Sequence, residues 1–262
     1  INMDSEDEGV ATVSCAGGLR VQFTKEIKRT TVQGSLLTLK VEGLLGGHSG
    51  QDIDKERQNA DLLMARMIQR LLKETKGQLV SFNGGTKDNA IPRECEASLI
   101  YESDEEAAKA EELACELAET YAEELTPAEP DFSCEISCET NRTAEAIPQD
   151  AAKEFICAMR LAPNGIQKRN IKMDGFVVVS LNLGVVRTEE DRIVMIFSPR
   201  SSVASLQEDT KERLNTLAET FGFTVSHSSE YPGWSFKEDS PVREICKESY
   251  KELFGEDLKL SL

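Results

Sequence analysis

One of the two histidines in this chain of 262 residues stands among glycines, in Gly43-Leu44-Leu45-Gly46-Gly47-His48-Ser49-Gly50-Gln51-Asp52-Ile53. Glycine opens backbone conformations closed to other residues and lets another group come close. Imidazole is the side chain best suited to hold or give a proton near neutral pH. His48 is therefore a candidate site residue, and its glycine neighbours weigh against an idle loop histidine. Arg200 follows Ser198-Pro199 at the end of an apolar run. A guanidinium can grip a carboxylate with two parallel hydrogen bonds, although an arginine before a helix can also be simply solvated. Asn89 lies in a loop ending Ala90-Ile91-Pro92. Its amide could donate to a carbonyl or carboxylate, and asparagine is also a common turn residue. Asp4 belongs to the acidic run Asp4-Ser5-Glu6-Asp7-Glu8. A carboxylate there could ligate a metal, but composition alone favours an exposed charge. Asp52 and Asp54 read as helix caps, Asn182 as a residue satisfying backbone groups in a sheet, and His227 as structural or exposed.

The elements that must position these side chains follow from periodicity. Alternating or β-rich runs cover Val10–Cys15, Arg20–Ile27 and Thr31–Val41. Ala60, Leu63, Met64, Met67, Ile68, Leu71 and Leu72 recur at helical spacing, with Asp54 the expected N-cap. Strands are expected at Gln78–Phe82, Glu94–Tyr101 and Phe132–Cys138, with a helix from Asp104 to Glu124 before the last of these. A helix at Gln149–Arg160, strands Phe176–Val186 and Ile193–Ser198, a helix Val203–Phe221 and a strand Phe223–His227 repeat the order in part. Strand–helix–strand–strand–helix–strand is the ferredoxin-like split βαβ pattern. The expected fold class is α+β, with one antiparallel sheet or two fused ones and helices on one face. Beyond the turn Tyr231-Pro232-Gly233-Trp234, an amphipathic helix Ser240–Phe254 uses Val242, Ile245, Cys246 and Leu253, and Leu258–Leu262 opens a further strand.

Composition sets bounds. The net charge of −17 should repel nucleic acid and anionic membrane surfaces, so neither is an expected partner. No run of about 18 apolar residues suggests a membrane span. The seven cysteines are odd in number and none has CxxC spacing. Reduced, mostly buried thiols and a cytoplasmic location are expected, rather than a thiolate zinc site. Ile1-Asn2-Met3-Asp4 reads as the end of a strand already under way, so a piece of a longer protein is expected.

Several stretches together resemble the bacterial Xaa-His (aminoacyl-histidine) dipeptidases, two-zinc metallopeptidases related to carnosinase and carboxypeptidase G. They are Asn2 to Gly9, Cys15-Ala16-Gly17-Gly18, Gly43 to Ile53 with Arg57 and Asn59-Ala60, Gly84 to Pro92, Ser180 to Gly184, Arg200-Ser201-Ser202 and Tyr231 to Trp234. The resemblance implies a catalytic domain interrupted by a ferredoxin-like lid that mediates homodimerisation. It divides the chain into residues 1–17 (end of a first catalytic segment), 18–230 (lid) and 231–262 (start of the returning catalytic segment). It implies Asp4 as a zinc ligand, and His48 as the lid histidine that enters a partner subunit's active site and stabilises the charged carbonyl oxygen. It makes Asn89 a substrate contact and Arg200 the anchor of a dipeptide's free carboxylate. Two zinc ions (or manganese or cobalt) would activate the attacking water in the intact enzyme. The remaining ligands and the general base are expected outside this chain, which alone should be inactive. Two rivals remain open. One is an amidohydrolase or deacylase of the same family, and the other is a non-catalytic ferredoxin-like dimerisation domain.

Overall fold

The structure is a computed structural model and describes residues 8–171, 176–234 and 236–261. In chain order its elements are β1 (Val10–Thr12), β2 (Gly17–Glu26), β3 (Thr30–Glu42), β4 (Gly47–His48), α1 (Ala60–Glu74), β5 (Gln78–Gly84), β6 (Ala90–Ile91), β7 (Cys95–Tyr101) and α2 (Asp104–Leu125). There follow β8 (Ser133–Ala146), α3 (Gln149–Leu161), β9 (Gly165–Arg169), β10 (Val177–Thr188), β11 (Arg192–Ser201), α4 (Ala204–Thr220), β12 (Thr224–Tyr231), α5 (Pro241–Phe254) and β13 (Lys259–Ser261).

Nine strands form one antiparallel sheet in the order β12-β2-β11-β10-β5-β7-β3-β8, with β9 added alongside β10. It is two ferredoxin-like units joined edge to edge. The inner unit is β3-α1-β5-β7-α2-β8 and the outer is β2-α3-β10-β11-α4-β12. In each, the last strand lies beside the first, followed by the third and then the second. The doubled α+β pattern is thus present, but the units are nested and do not run in succession. The outer unit's first strand, β2, is separated from its own first helix by the entire inner unit. Helical spacing could not reveal this, because β2 acquires its partners from residues far along the chain, such as Phe23 with Met195 and Val225.

Helices α2, α1, α3 and α4 pack in a row against the sheet. Their apolar faces meet alternate strand residues, among them Leu37, Leu39, Leu99, Leu181, Phe197 and Phe23, in one continuous core. In α1 the spacing read from sequence is the one that buries, with Leu63, Met64, Met67, Ile68 and Leu71 all inside. Each such side chain contributes on the order of 2 kcal/mol relative to exposure. The expected cap is corrected. Asp54 lies exposed in a single 3-10 turn, and Asn59 caps α1, its Oδ1 accepting from the amides of Asp61 (3.0 Å) and Leu62 (3.2 Å). The Asn59 amide also donates to Leu183 O of the outer unit at 2.8 Å, which a residue five positions earlier could not do.

The joint between units has a single registered pair, Val186 with Gly84. Side chains make up the deficit. The Arg187 guanidinium donates to the carbonyls of Gly84 and Gly85, and Phe82 N donates to Thr188 Oγ1 at 2.9 Å. Phe82 meets Phe155 edge to face at 5.4 Å beneath it. Arg29, at the crossing from outer to inner unit, donates five hydrogen bonds to the carbonyls of Val80, Glu145, Glu189 and Glu190. Beside the joint, the fully buried Asp61 carboxyl faces the Cys95 thiol, and among the described residues neither oxygen has a well-formed hydrogen bond.

Strand β8 runs on to Ala146, past the expected end at Cys138. Its second half is polar and exposed, so it carries no alternation, and backbone pairing to Thr30–Gly34 holds it. Outside the large sheet, β1 pairs in parallel with β13, and Cys15 exchanges backbone hydrogen bonds with Trp234 at 3.0 and 2.9 Å. Helix α5 is amphipathic as expected, yet none of its residues is buried, and Val242, Ile245, Leu253 and Phe254 are exposed.

Candidate functional site

Strands β10 and β11 place the site. Leu181, Leu183 and Phe197 turn into the core. Successive strand residues alternate faces, so Ser180, Asn182, Ser198 and Arg200 point to the side away from the helices. There Ser180 pairs with Arg200 and Asn182 with Ser198. Two loops of the inner unit fold onto this polar patch.

The first loop carries His48. Gly46 and Gly47 take φ of 59° and 141°, positions that strain other residues, and turn the chain into the short strand β4. β4 pairs with β6, His48 opposite Ala90. Asp52 locks the loop. Its Oδ2 accepts from His48 N at 2.8 Å, its own amide donates to His48 O at 2.9 Å, and Lys55 pairs with Oδ1 at 2.5 Å. Asp52 is therefore a loop brace, and its side chain makes no helix-capping bond.

The His48 ring is half-buried and its protonation pattern follows from the backbone. Nδ1 accepts from Gln51 N at 3.1 Å and more loosely from Gly50 N at 3.3 Å. A nitrogen facing two N–H groups must present its lone pair, so the neutral ring carries its proton on Nε2. Burial pushes the imidazole pKa below its usual value, the nearby Arg200 guanidinium pushes it further, and Asp52 opposes them. His48 thus offers a neutral Nε2–H donor.

The second loop carries Asn89, exposed at its tip, with its backbone carbonyl accepting from Ser49 N at 2.9 Å. The Asn182 amide reaches up from the sheet to the carbonyls of Asp88 (3.3 Å) and Ala90 (2.8 Å), gripping the chain on both sides of Asn89. Arg20 of β2 adds a long ion pair to Asp88 at 3.8 Å. Arg20 opens a β-rich run and Asp88 lies within the Gly84 to Pro92 stretch, but nothing in their local spacing marks the two as partners.

Arg200 completes the patch. Its Nη1 donates to the Tyr231 hydroxyl at 3.0 Å. Among the described residues its Nε is buried without a partner, as are Ser49 Oγ and Asn182 Oδ1. Unpartnered buried polar atoms are uncommon in folded proteins. The structure thus brings His48, Asn89 and Arg200 to one face. Asp4 lies outside the described residues, and among the described residues no three His, Cys, Asp or Glu side chains gather as a metal site. His227 sits elsewhere, hydrogen-bonded to Asn215 at 3.0 Å on the surface. A cavity of about 390 Å³ lies beside the patch, lined by Ile53, Arg57, Asn59, Asn164 and Asn182 among others. Neither His48 nor Arg200 lines it.

Residues 39–129, most of the inner unit, match the family described as Peptidase dimerisation domain. The chain is 31% identical over 261 residues to the cytosol non-specific dipeptidase of Escherichia coli (strain K12), covering 97% of this chain and 53% of that protein. Its fold superposes with a TM-score of 0.90 on the crystal structure of aminoacylhistidine dipeptidase from Vibrio alginolyticus, at 32% identity, covering 99% of this chain and 53% of that one. The chain therefore spans about half the length of the relatives it matches.

Proposed function

We infer that this chain, a relative of these dipeptidases over nearly its whole length, is the lid-bearing part of a metal-dependent dipeptidase. Its substrates are dipeptides with a free carboxylate, Xaa-His dipeptides among them. The observation that carries this reading is the pairing, on one sheet face, of a neutral Nε2–H donor at His48 with the Arg200 guanidinium. In that arrangement Arg200 receives the substrate's carboxylate. His48 Nε2–H points at the carbonyl oxygen where negative charge develops, and a donor fixed in advance costs no reorganisation as the charge forms. Asn89, held by Asn182 beneath it, contacts the peptide backbone.

The described residues do not themselves form a metal site. We assign the metal, zinc by preference, to the remainder of the longer protein together with Asp4. A homodimer through the lid is proposed on the strength of the dimerisation-domain match, and a cytoplasmic location is proposed with it. The test is hydrolysis of Gly-His and of dipeptides lacking histidine by the full-length, metal-loaded protein, with N-acetyl amino acids as controls. Dipeptide cleavage that outpaces deacylation is expected. Deacylation without dipeptide cleavage overturns the reading.

A further inference from the structure

Tyr231, Gly18, Arg200 and Ser180 form one row across four neighbouring strands, through the pairs Tyr231–Gly18, Gly18–Arg200 and Ser180–Arg200. Adjacent strands are about 4.8 Å apart, so Tyr231 and Arg200 are backbone-separated by roughly twice that. The missing side chain between them bridges the gap. A Cβ on Gly18 would stand 2.7 Å from the Tyr231 hydroxyl and 2.9 Å from Cζ of its ring. The ring therefore lies over Gly18, across β2, and delivers its hydroxyl to Arg200.

The hydrogen-bond direction decides what that hydroxyl can do. Arg200 Nη1 is the donor, at 3.0 Å, so the phenol oxygen is the acceptor and keeps its own proton to give. Among the described residues nothing accepts that proton, and the tyrosine is 42% exposed. A cationic donor on the oxygen also polarises the O–H bond outward. Beside it, Arg200 Nη2 has no partner among the described residues.

We propose that the Tyr231 hydroxyl is a substrate-binding group, donating to one oxygen of the dipeptide's free carboxylate while Arg200 Nη2 donates to the other. This rests on the reading of Arg200 given above. The two donors select an acceptor-only group. A carboxylate satisfies both, whereas a C-terminal carboxamide turns an N–H toward one of them and leaves it unmatched.

The test uses the full-length, metal-loaded protein with a dipeptide and its C-terminal amide. Tyr231→Phe keeps the ring and removes only the hydroxyl. It should raise KM for the free dipeptide about tenfold, leave kcat within about twofold, and erode the preference for free carboxylate over amide by a similar factor. Gly18→Ala, which displaces the ring, should reproduce this. Arg200→Met should raise KM further, and adding Tyr231→Phe to it should change little. Wild-type KM and selectivity in Tyr231→Phe, with Arg200→Met impaired, would make the hydroxyl a bystander. Wild-type behaviour of Arg200→Met would overturn the carboxylate role of Arg200 itself, and the proposal with it.

Discussion

His48 and Arg200 approach one another across a residue that has no side chain. A Cβ placed on Gly50 would stand 3.2 Å from Cε1 of His48 and 3.4 Å from Cζ of Arg200. The imidazole belongs to the inner unit and the guanidinium to the outer one, so their meeting depends on the joint between the two. Gly50→Val should shift one or both groups by a sizeable fraction of an ångström. Misplacement on that scale costs about tenfold or more in rate. The expected result is kcat/KM for a dipeptide down at least ~10-fold in the full-length protein, with little change in thermal midpoint. Full activity would show that neither group needs its position.

His48→Ala removes the Nε2–H donor and leaves the Asp52-braced backbone in place. Loss of one well-aimed oxyanion donor costs about a hundredfold in kcat. Bound metal, measured by elemental analysis, should be unchanged. His48→Gln, whose amide can donate from a similar reach, should recover part of the loss.

The titration of His48 tests the tautomer directly. Its pKa lies below the ordinary 6.5, chiefly through burial. Protonating Nδ1 would also set it against the amides of Gly50 and Gln51. The folded protein thus holds this proton less readily than the unfolded chain. The associated stability is complete above the unfolded pKa and declines as pH falls below it. Nitrogen-15 spectra should show an Nε2–H ring at neutral pH and a midpoint below 6.5. A midpoint above that value would contradict the hydrogen-bonding pattern.

Asp61 carries the opposite pH dependence. Burial raises its carboxyl from an ordinary 3.8 to about 8, against smaller downward pulls from the Cys95 thiol and Arg187. Between those values the folded chain binds a proton that the unfolded chain has released. Stability from this group is therefore greatest below about pH 4 and falls as pH rises toward 8. Asp61→Asn should flatten that decline and stabilise the protein near pH 8 by on the order of a few kcal/mol. Urea denaturation at about pH 5 and pH 8 measures it, and equal slopes for both proteins would refute the buried-acid account.

Arg29 joins the two units through hydrogen bonds to backbone carbonyls. Arg29→Met keeps the stem and abandons the carbonyls of Val80, Glu145, Glu189 and Glu190. A loss of about 3 kcal/mol is expected by urea denaturation, given the worth of bonds to a charged donor and their partial exposure. A change under ~0.5 kcal/mol would show that water replaces the guanidinium at no cost.

Local pattern determined much of this molecule. The spacing of Leu63, Met64, Met67, Ile68 and Leu71 makes an amphipathic helix wherever the chain goes, and Gly46-Gly47 before His48 makes a turned loop, because both depend on neighbours within a few residues. The strand–helix alternation gave the α+β class for the same reason. Asn59 shows the boundary of that legibility. Asp54 and Asn59 are both suitable caps by type, and the choice fell to the residue that also meets Leu183 of the other unit. Only the tertiary structure decided the nesting of one ferredoxin-like unit inside the other, since β2 pairs with strands supplied by the far end of the chain. It also decided the site. His48, Asn89, Arg200 and Tyr231 are scattered along the sequence. Arg200 and Tyr231 meet because cross-strand register, which no local pattern encodes, sets Arg200 opposite Gly18 and Gly18 opposite Tyr231, while two loops of the inner unit carry His48 and Asn89 onto the same face.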